Sequence, residues 1–284
     1  MTELLLSPWA REFERLLDAV DNSLVLCAPY VGSGPCELVA GRIGRRGGSA
    51  SVDVWVLTNL SRDNILSGAT DVVSLLRLAE AIPRTTIRFL PSLHAKVYIA
   101  DDKRAVITSS NFTDSGMLRN FEYGISLDER PTVMAVRADI LRYSELGSPI
   151  DQAQLRTFAR IAEELRDLGR EAQRSVNRRL RQEFDRRLAA ADIEILRARA
   201  GGRTAHAIFA DTILHLLRRG PLRTVDLNQR IQRIHPDLCD DSVDRVIDGQ
   251  HFGKKWKHGV RTAQVYLRRS GRVERAGDRW RLVA

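Results

Sequence analysis

Cysteine is scarce in this 284-residue chain. Cys27, Cys36 and Cys239 are the only three, and they lie far apart. That number and spacing exclude a disulfide framework. Reduced thiols are expected, with Cys27, in the run Leu24-Val25-Leu26-Cys27, acting as a small buried hydrophobe. No apolar run approaches the roughly 18–20 residues needed to cross a bilayer. The opening Met1-Thr2-Glu3-Leu4-Leu5-Leu6 has no basic start, and its apolar stretch is too short for a secretory signal. A cytoplasmic location without a membrane partner is therefore the expectation. Internal repeats and low-complexity tracts are lacking as well. What remains is an ordinary globular composition, 43% hydrophobic and 29% charged, which excludes wholesale disorder.

The net charge of +9 is unevenly spread. Residues 1–148 carry 16 basic and 18 acidic side chains, a net of −2. Residues 149–200 carry 12 and 9, for +3, and residues 201–284 carry 17 and 9, for +8. Positive charge gathered into the last third is the electrostatic footprint of a module that binds a polyanion. A solvated arginine-coated face gives the same count, so charge alone does not decide.

Residues 1–148 alternate strand and helix patterns. Ser7-Pro8 followed by Trp9–Val20 reads as a helix, with Ser7 as N-cap and Pro8 in the first helical position. Leu24–Ala28, Val52–Leu57, Thr86–Leu90, Ala95–Ala100, Ala105–Thr108 and Tyr123–Leu127 read as strands, and Asp71–Ala81 and Pro131–Tyr143 as helices. This alternation predicts a layered α/β domain. Gly41–Ser51 is a basic, glycine-rich loop without the spacing of a phosphate-binding P-loop. Residues 149–202 read as one long helical linker, ended by Gly201-Gly202. Phe158, Ile161, Leu165, Leu168, Val176, Leu180, Phe184 and Leu188 recur every three or four positions along it. A rod of roughly 70 Å, at 1.5 Å per residue, overruns a small domain. It is expected to bridge two modules or to dimerise on a partner chain.

Residues 203–284 read as a separate domain. Three helices (Ala205–Arg219, Thr224–Ile234 and Trp256–Arg269) precede a hairpin around Ala276-Gly277-Asp278. That order predicts a winged helix-turn-helix. Val260, Ala263 and Leu267 form the packing stripe of its third helix, and Trp256 and Trp280 are expected in the core. Lys254, Lys255, Lys257, Arg261, Arg268 and Arg269 on that helix and its approach, with Arg275 and Arg279 on the hairpin, are the candidate DNA contacts. Arg272 and Arg281 add to the basic wing.

The chemistry is concentrated between His94 and Glu122. The stretch reads H-A-K-V-Y-I-A-D, then Ser109-Ser110-Asn111, then Asn120-Phe121-Glu122. Side chains two apart on an extended strand face the same way, so His94 and Lys96 project into one pocket. An imidazole attacks or protonates near neutral pH, and an ammonium neutralises phosphate charge without accepting a proton bond. Asn111 and Ser109 donate to phosphoryl oxygens, and Glu122 is positioned to orient the imidazole through its second nitrogen. Such a site suits an anionic, tetrahedral substrate.

The pattern H-x-K-x4-D, followed by S-x-N a strand later, resembles the signature of the phospholipase D-like superfamily. The resemblance covers about residues 1–148 and implies a layered sheet flanked by helices. It also implies a metal-independent phosphodiesterase without cofactor. His94 would attack phosphorus to give a phosphohistidine while a second such histidine protonates the leaving oxygen. Lys96 and Asn111 would hold the non-bridging oxygens, and Asp101 would support local structure. One departure stands out: Thr108 occupies a position where the family has glycine, which narrows the expected pocket. The chain holds a single H-x-K, so two-histidine chemistry predicts a homodimer with the site on the twofold axis. Single-motif members that resemble this chain are mostly nucleases, and the last domain resembles winged helices appended to restriction-type endonucleases. DNA cleavage in restriction or phage defence is the resulting expectation, with a helicase or other defence-system subunit as a possible partner. The alternatives are a lipid phosphodiesterase or phosphatidyltransferase, and a catalytically silent DNA-binding regulator. His235, Cys239, His251 and His258 supply zinc-type ligands, but their irregular spacing lacks a Cys-x2-Cys knuckle, and no metal is assigned.

Overall fold

A computed structural model describes residues 2–44, 51–174, 178–247 and 249–283. Arg45 and Arg46 of the glycine-rich loop, and Val176 of the helical stretch, lie outside them. The chain forms two units, Met1–Arg199 and Ala200–Ala284.

The first unit runs β1 (Thr2–Leu6), α1 (Ala10–Asp18), β2 (Ser23–Cys27), α2 (Ser33–Ile43), β3 (Asp53–Thr58), α3 (Arg62–Ser67), α4 (Val72–Ala81) and β4 (Thr85–Phe89). It continues with β5 (Val97–Ala100), β6 (Arg104–Thr108), a π-helical turn (Ser115–Arg119), β7 (Tyr123–Leu127), α5 (Arg130–Leu146), β8 (Ser148–Ile150), α6 (Gln152–Arg174) and α7 (Arg178–Ala200). The eight strands make one sheet in the order β1-β7-β6-β5-β2-β3-β4-β8. Strands β2, β3 and β4 are parallel, and every other pairing is antiparallel. Parallel strands covered on both faces need continuous apolar runs, and β2 is buried at all five positions.

Helices cover both faces of the sheet. On one face Trp9 and Phe13, at the start of α1, meet Tyr98 and Phe112, with ring centroids 5.4 Å apart for Trp9–Tyr98 and 5.6 Å for Phe13–Phe112. Offset and edge contacts of this kind suit the ring quadrupole. On the other face α5 packs over β5 and β6. Asp71 caps α4, its carboxylate accepting from the amides of Val73 and Ser74.

Several expected elements are corrected. Ser7 is no N-cap: α1 begins at Ala10, and residues 2–6 form an edge strand paired with β7. The apolar start that was too short for a signal is long enough for a strand. The glycine-rich segment enters the end of α2, whose Ile43 is buried. The π-helical turn and the short α3 and β8 were not anticipated. The helical stretch is not a straight rod. Helices α6 and α7 face each other: Leu165 and Ala191 are both buried, and Arg187 reaches Glu164 at 3.6 Å. Leu155, Phe158, Ala162 and Ala198 join the core of the α/β sheet. Phe158 and Leu165 of the apolar stripe are therefore buried within the chain itself, while Ile161, Leu168, Phe184 and Leu188 are half-buried.

The second unit runs α8 (Ala205–Leu217), β9 (Leu222–Arg223), α9 (Thr224–Ile234), β10 (Asp244–Ile247), β11 (Gln250–Lys254), α10 (Lys255–Arg269), β12 (Val273–Ala276) and β13 (Arg279–Leu282). α8 and α10 pack together, and Val260, Ala263 and Leu267 are almost wholly buried in this unit's own core. Trp256 and Trp280 lie in that core, their indole N–H groups donating to Asp241 and Thr224. The β12–β13 turn is two residues, with Gly277 at φ 63°, a conformation glycine adopts without strain. β9 adds a third strand beside β13. The β10–β11 hairpin between α9 and α10 had no counterpart in the sequence reading.

Candidate active site

The sheet order brings the chemistry-bearing loops to one edge. β2 is parallel to β3 and antiparallel to β5, so the direction of pairing switches at its carboxyl end. Open α/β sheets bind ligands outside strand ends at such a switch. The segments leaving β2, β3 and β6 and those entering β5 and β7 all open there, and those next to β5, β6 and β7 carry the site residues.

His94 and Lys96 lie in the extended segment just before β5, which begins at Val97 rather than Ala95. His94 is exposed and Lys96 is buried, 9% accessible. The Lys96 ammonium lies 3.1 Å from His94 Nδ1 and donates to the His94 carbonyl at 3.0 Å. An ammonium only donates, so the ring nitrogen facing it accepts. Burial holds the Lys96 pKa below the ordinary lysine value, opposed by the charge of Glu122. Beneath Lys96, burial pushes the Cys27 thiol up to about 12 against the pull of that ammonium, and its Sγ donates weakly to the Ala95 carbonyl at 3.8 Å. Cys27 is thus a buried hydrophobe, as expected.

Asn111 follows β6. Its Oδ1 is buried with no hydrogen-bond partner among the described residues, an exception among buried polar atoms. Three backbone features hold the segment. The Tyr98 hydroxyl donates to the Ser110 carbonyl at 2.9 Å. Phe112 forms a bridge with Val31. Gly116 leaves room for the turn, since a Cβ there would come 2.5 Å from Ser110 Oγ and 2.6 Å from the Asn111 carbonyl oxygen. Thr108 is tied to the main chain: its hydroxyl donates to the Tyr123 carbonyl and accepts from the Ser110 amide, both at 3.2 Å.

Glu122 corrects the expectation made for it. Among the described residues it makes no hydrogen bond to His94. Its Oε2 accepts from the Ser109 hydroxyl and its Oε1 from the Asn120 amide at 3.1 Å, so it orders Ser109 and supplies negative charge near Lys96. Ser7 fixes the main chain here, accepting from the Glu122 amide at 2.7 Å. Sequence reasoning missed Ser7, Tyr98 and Asn120 as supports. Ser7 was hidden behind the helix-start pattern Ser-Pro, whereas Asn120, two residues from Glu122, lay within reach.

Asp101 takes amides from Asp21, Asn22 and Ser23 at 2.8, 3.0 and 2.7 Å, at a left-handed φ of 48°. Burial raises its pKa, but these three amides and Lys103 outweigh it and hold the carboxyl below its ordinary value. It clamps the start of β2 to the end of β5, a supporting part.

The candidate DNA contacts all lie on the second unit. Lys257, Arg261 and Arg268 fall four and seven residues apart on α10, along one exposed line. Lys255 and Arg269 flank that line. Lys254 is paired with Asp244 at 2.8 Å, Lys257 covers the Trp256 ring, Arg275 donates to the Gly277 carbonyl, and Arg279 is exposed on β13. The four zinc-type residues are not brought together. His235 is buried against Thr212 at 2.7 Å, His251 faces Asp244, and His258 is bonded to Phe252 and Arg245. No group of three or more potential ligands occurs among the described residues, and no helix among them is long and apolar enough to cross a membrane.

The site is thus a histidine–lysine pair at the switch point of a mixed α/β sheet flanked by helices. Residues 14–143, a little under half of the chain, match the family model described as "Cardiolipin synthase, PLD-like domain". Similar solved structures include Nuc, a phospholipase D family member from Salmonella typhimurium, at 18% identity and TM-score 0.44, covering 52% of this chain and 97% of that one. NucT from Helicobacter pylori is 16% identical with TM-score 0.38, covering 49% and 91%. Phosphatidylserine synthase from Haemophilus influenzae is 15% identical with TM-score 0.44, covering 56% and 45%. None of the curated proteins matches.

Proposed function

We propose that this chain is a DNA phosphodiesterase, an endonuclease acting as a homodimer through a phosphohistidine. The observation that carries the reading is the buried Lys96 ammonium lying 3.1 Å from His94 Nδ1, on the sheet edge shared with Ser109 and Asn111. In the resting site the ammonium is held by the ring and by the His94 carbonyl. A phosphodiester offers it a charged acceptor instead, which releases the ring to attack. The histidine nitrogen forms an N–P bond as the P–O bond to the leaving group breaks. The leaving oxygen takes a proton from His94 of a second chain. Water then attacks phosphorus, loses its proton to that second ring, and regenerates His94. Lys96 and Asn111 stabilise the charge on the non-bridging oxygens. The scheme calls for no metal.

The second unit supports DNA as the substrate. It carries a net charge of +8, its three helices and terminal hairpin read as a winged helix, and Lys257, Arg261 and Arg268 share one exposed line. We read residues 149–202 as the connection between the two modules, and cytoplasmic restriction or phage defence, with a helicase or similar subunit, as the setting. The description of the matched family model favours a second reading, a lipid phosphodiesterase or phosphatidyltransferase. Incubating the protein with plasmid DNA in EDTA, beside phosphatidylcholine vesicles, separates the two. Nicking that vanishes in His94→Ala is expected. Head-group release without nicking would reverse the assignment.

A further inference from the structure

The loop that leaves β2 is held from several sides. The Pro29 carbonyl accepts from the hydroxyls of Thr58 and Thr70, each at 3.2 Å, and from the Asn59 amide at 3.3 Å. Val31 bridges Thr70 on one side and Phe112 on the other. Its amide donates to the Ala69 carbonyl and its carbonyl accepts from the Asp71 amide. Tyr30 sits between these two fixed residues, so its backbone is held in place. The bridge also sets the direction of its side chain. Val31 and Phe112 are each 1% accessible and join the core on the α1 face, where the Phe112 ring meets Phe13. Side chains alternate along extended segments. The residues just before them, Tyr30 and Asn111, therefore share the other side, at the sheet edge that carries His94 and Lys96. Tyr30 is 38% accessible, and among the described residues its hydroxyl makes no hydrogen bond. Tyr98, wholly buried, instead donates its hydroxyl to the Ser110 carbonyl. The start of α2, just downstream, offers no competing anion site, because the Asp114 carboxylate already lies against Gly34 in its first turn.

We propose that Tyr30 is a further catalytic residue of this site, its phenol donating to a non-bridging oxygen of the phosphodiester beside the Asn111 amide. The proposal rests on the site read at His94 and not on DNA as its substrate. A phenol suits the position. Near neutral pH it is an uncharged donor, so it adds a hydrogen bond without setting a second positive charge against the buried Lys96 ammonium. Tyrosine is among the side chains that contact phosphate oxygens. As charge builds on those oxygens during attack at phosphorus, a donor already fixed in place stabilises it without reorganising. Tyr30 keeps its proton throughout, and no covalent bond to it forms or breaks.

Tungstate, a tetrahedral phosphate analogue, tests this without any turnover. In calorimetric titration of the full chain, Tyr30→Phe is expected to bind tungstate ~10-fold more weakly than wild type, the scale of one hydrogen bond to a charged acceptor, with Tm unchanged. The same titration of Lys96→Met measures the binding that belongs to cations elsewhere on the chain. On bis(p-nitrophenyl) phosphate, kcat of Tyr30→Phe is expected to fall ~10–100-fold, toward the loss seen for a charge-stabilising donor. A second measurement needs no variant: tetranitromethane is expected to nitrate Tyr30 in the free protein, and bound tungstate to protect it, as read by mass spectrometry. If the Phe variant unfolds, nitration decides. A wild type that does not bind tungstate, a folded Tyr30→Phe that binds it as tightly as wild type, or nitration of Tyr30 unslowed by it overturns the proposal. Weakened binding in Tyr30→Phe, with a wild type that cuts neither the ester nor DNA, upholds the subsite and removes the phosphohistidine reading instead. DNA cleavage by wild type and Tyr30→Phe alike, with equal tungstate affinity, leaves that reading and removes Tyr30 from it.

Discussion

The two units use charge in opposite ways. The first unit, residues 1–199, carries 28 basic and 27 acidic side chains, a near-balanced +1, and its important charges are enclosed: Lys96 is buried beside an imidazole, and Asp101 is ringed by three amides. The last 84 residues carry +8, nearly all of it exposed on α10 and the β12–β13 hairpin. A charge withdrawn from water acts through fixed geometry with strong effect. A charge in water acts mainly through number and is screened by salt. Substitutions in the first unit should therefore alter turnover or folding at every ionic strength, and those in the second should alter affinity in a salt-dependent way.

The sharpest test of this contrast is His94→Ala. Cleavage is expected to fall by at least ~10³-fold, the scale of losing a nucleophile or a general acid–base group, with DNA affinity and Tm unchanged. Measurable cleavage at the wild-type rate would remove the assignment. Lys96→Met is expected to lower kcat by ~10²–10³, as loss of a charge-stabilising donor does, at low and high salt alike. Because burial lowers the Lys96 pKa, the wild-type ammonium deprotonates below the ordinary lysine value of about 10.4. The alkaline limb of the kcat profile should accordingly fall earlier than an unperturbed lysine would allow, and a rate flat beyond that value would exclude Lys96 as the required cation.

In the second unit, Arg261→Gln and Arg268→Gln should each flatten the slope of log affinity against log salt by about one, leaving kcat at saturating DNA unchanged. A change in kcat with an unaltered slope would break the division of labour. The smallest effect is on stability. Asp101→Asn should cost ~2 kcal/mol at neutral pH, the range for a hydrogen bond to a charged group. The folded carboxyl titrates below its unfolded value, so this stabilisation is present above about pH 4 and is lost as pH falls through the lower folded pKa. Chemical denaturation at pH 7 and at pH 2–3 should show the gap between wild type and variant closing on acidification.

How much was legible in the sequence depended on the range of the interaction. The strands from β2 to β7 stand within a few residues of where period and composition put them, because a buried strand must be apolar wherever it pairs. His94 and Lys96 share a pocket because two-residue spacing in an extended segment leaves little choice. The partner of Glu122 was not legible, since Ser109 lies on the neighbouring strand and the competition between its hydroxyl and an imidazole is settled by register. Ser7 shows the same limit: a local Ser-Pro signal suggested a cap, while pairing of β1 with β7 carried it to the Glu122 amide instead. The α6–α7 stripe was legible as apolar from its spacing, but that Phe158 and Leu165 bury within the first unit was not.

By itself, then, the sequence determined the alternation of strands and helices, the histidine–lysine pair, and the separation of a balanced unit from a basic one. All of these follow from local spacing and composition. Tertiary structure alone decided that the pairing direction switches at β2, that Glu122 serves Ser109, and that α7 folds against α6. Those outcomes turn on which distant surfaces meet, and burial free energy is set by the meeting rather than by either segment alone.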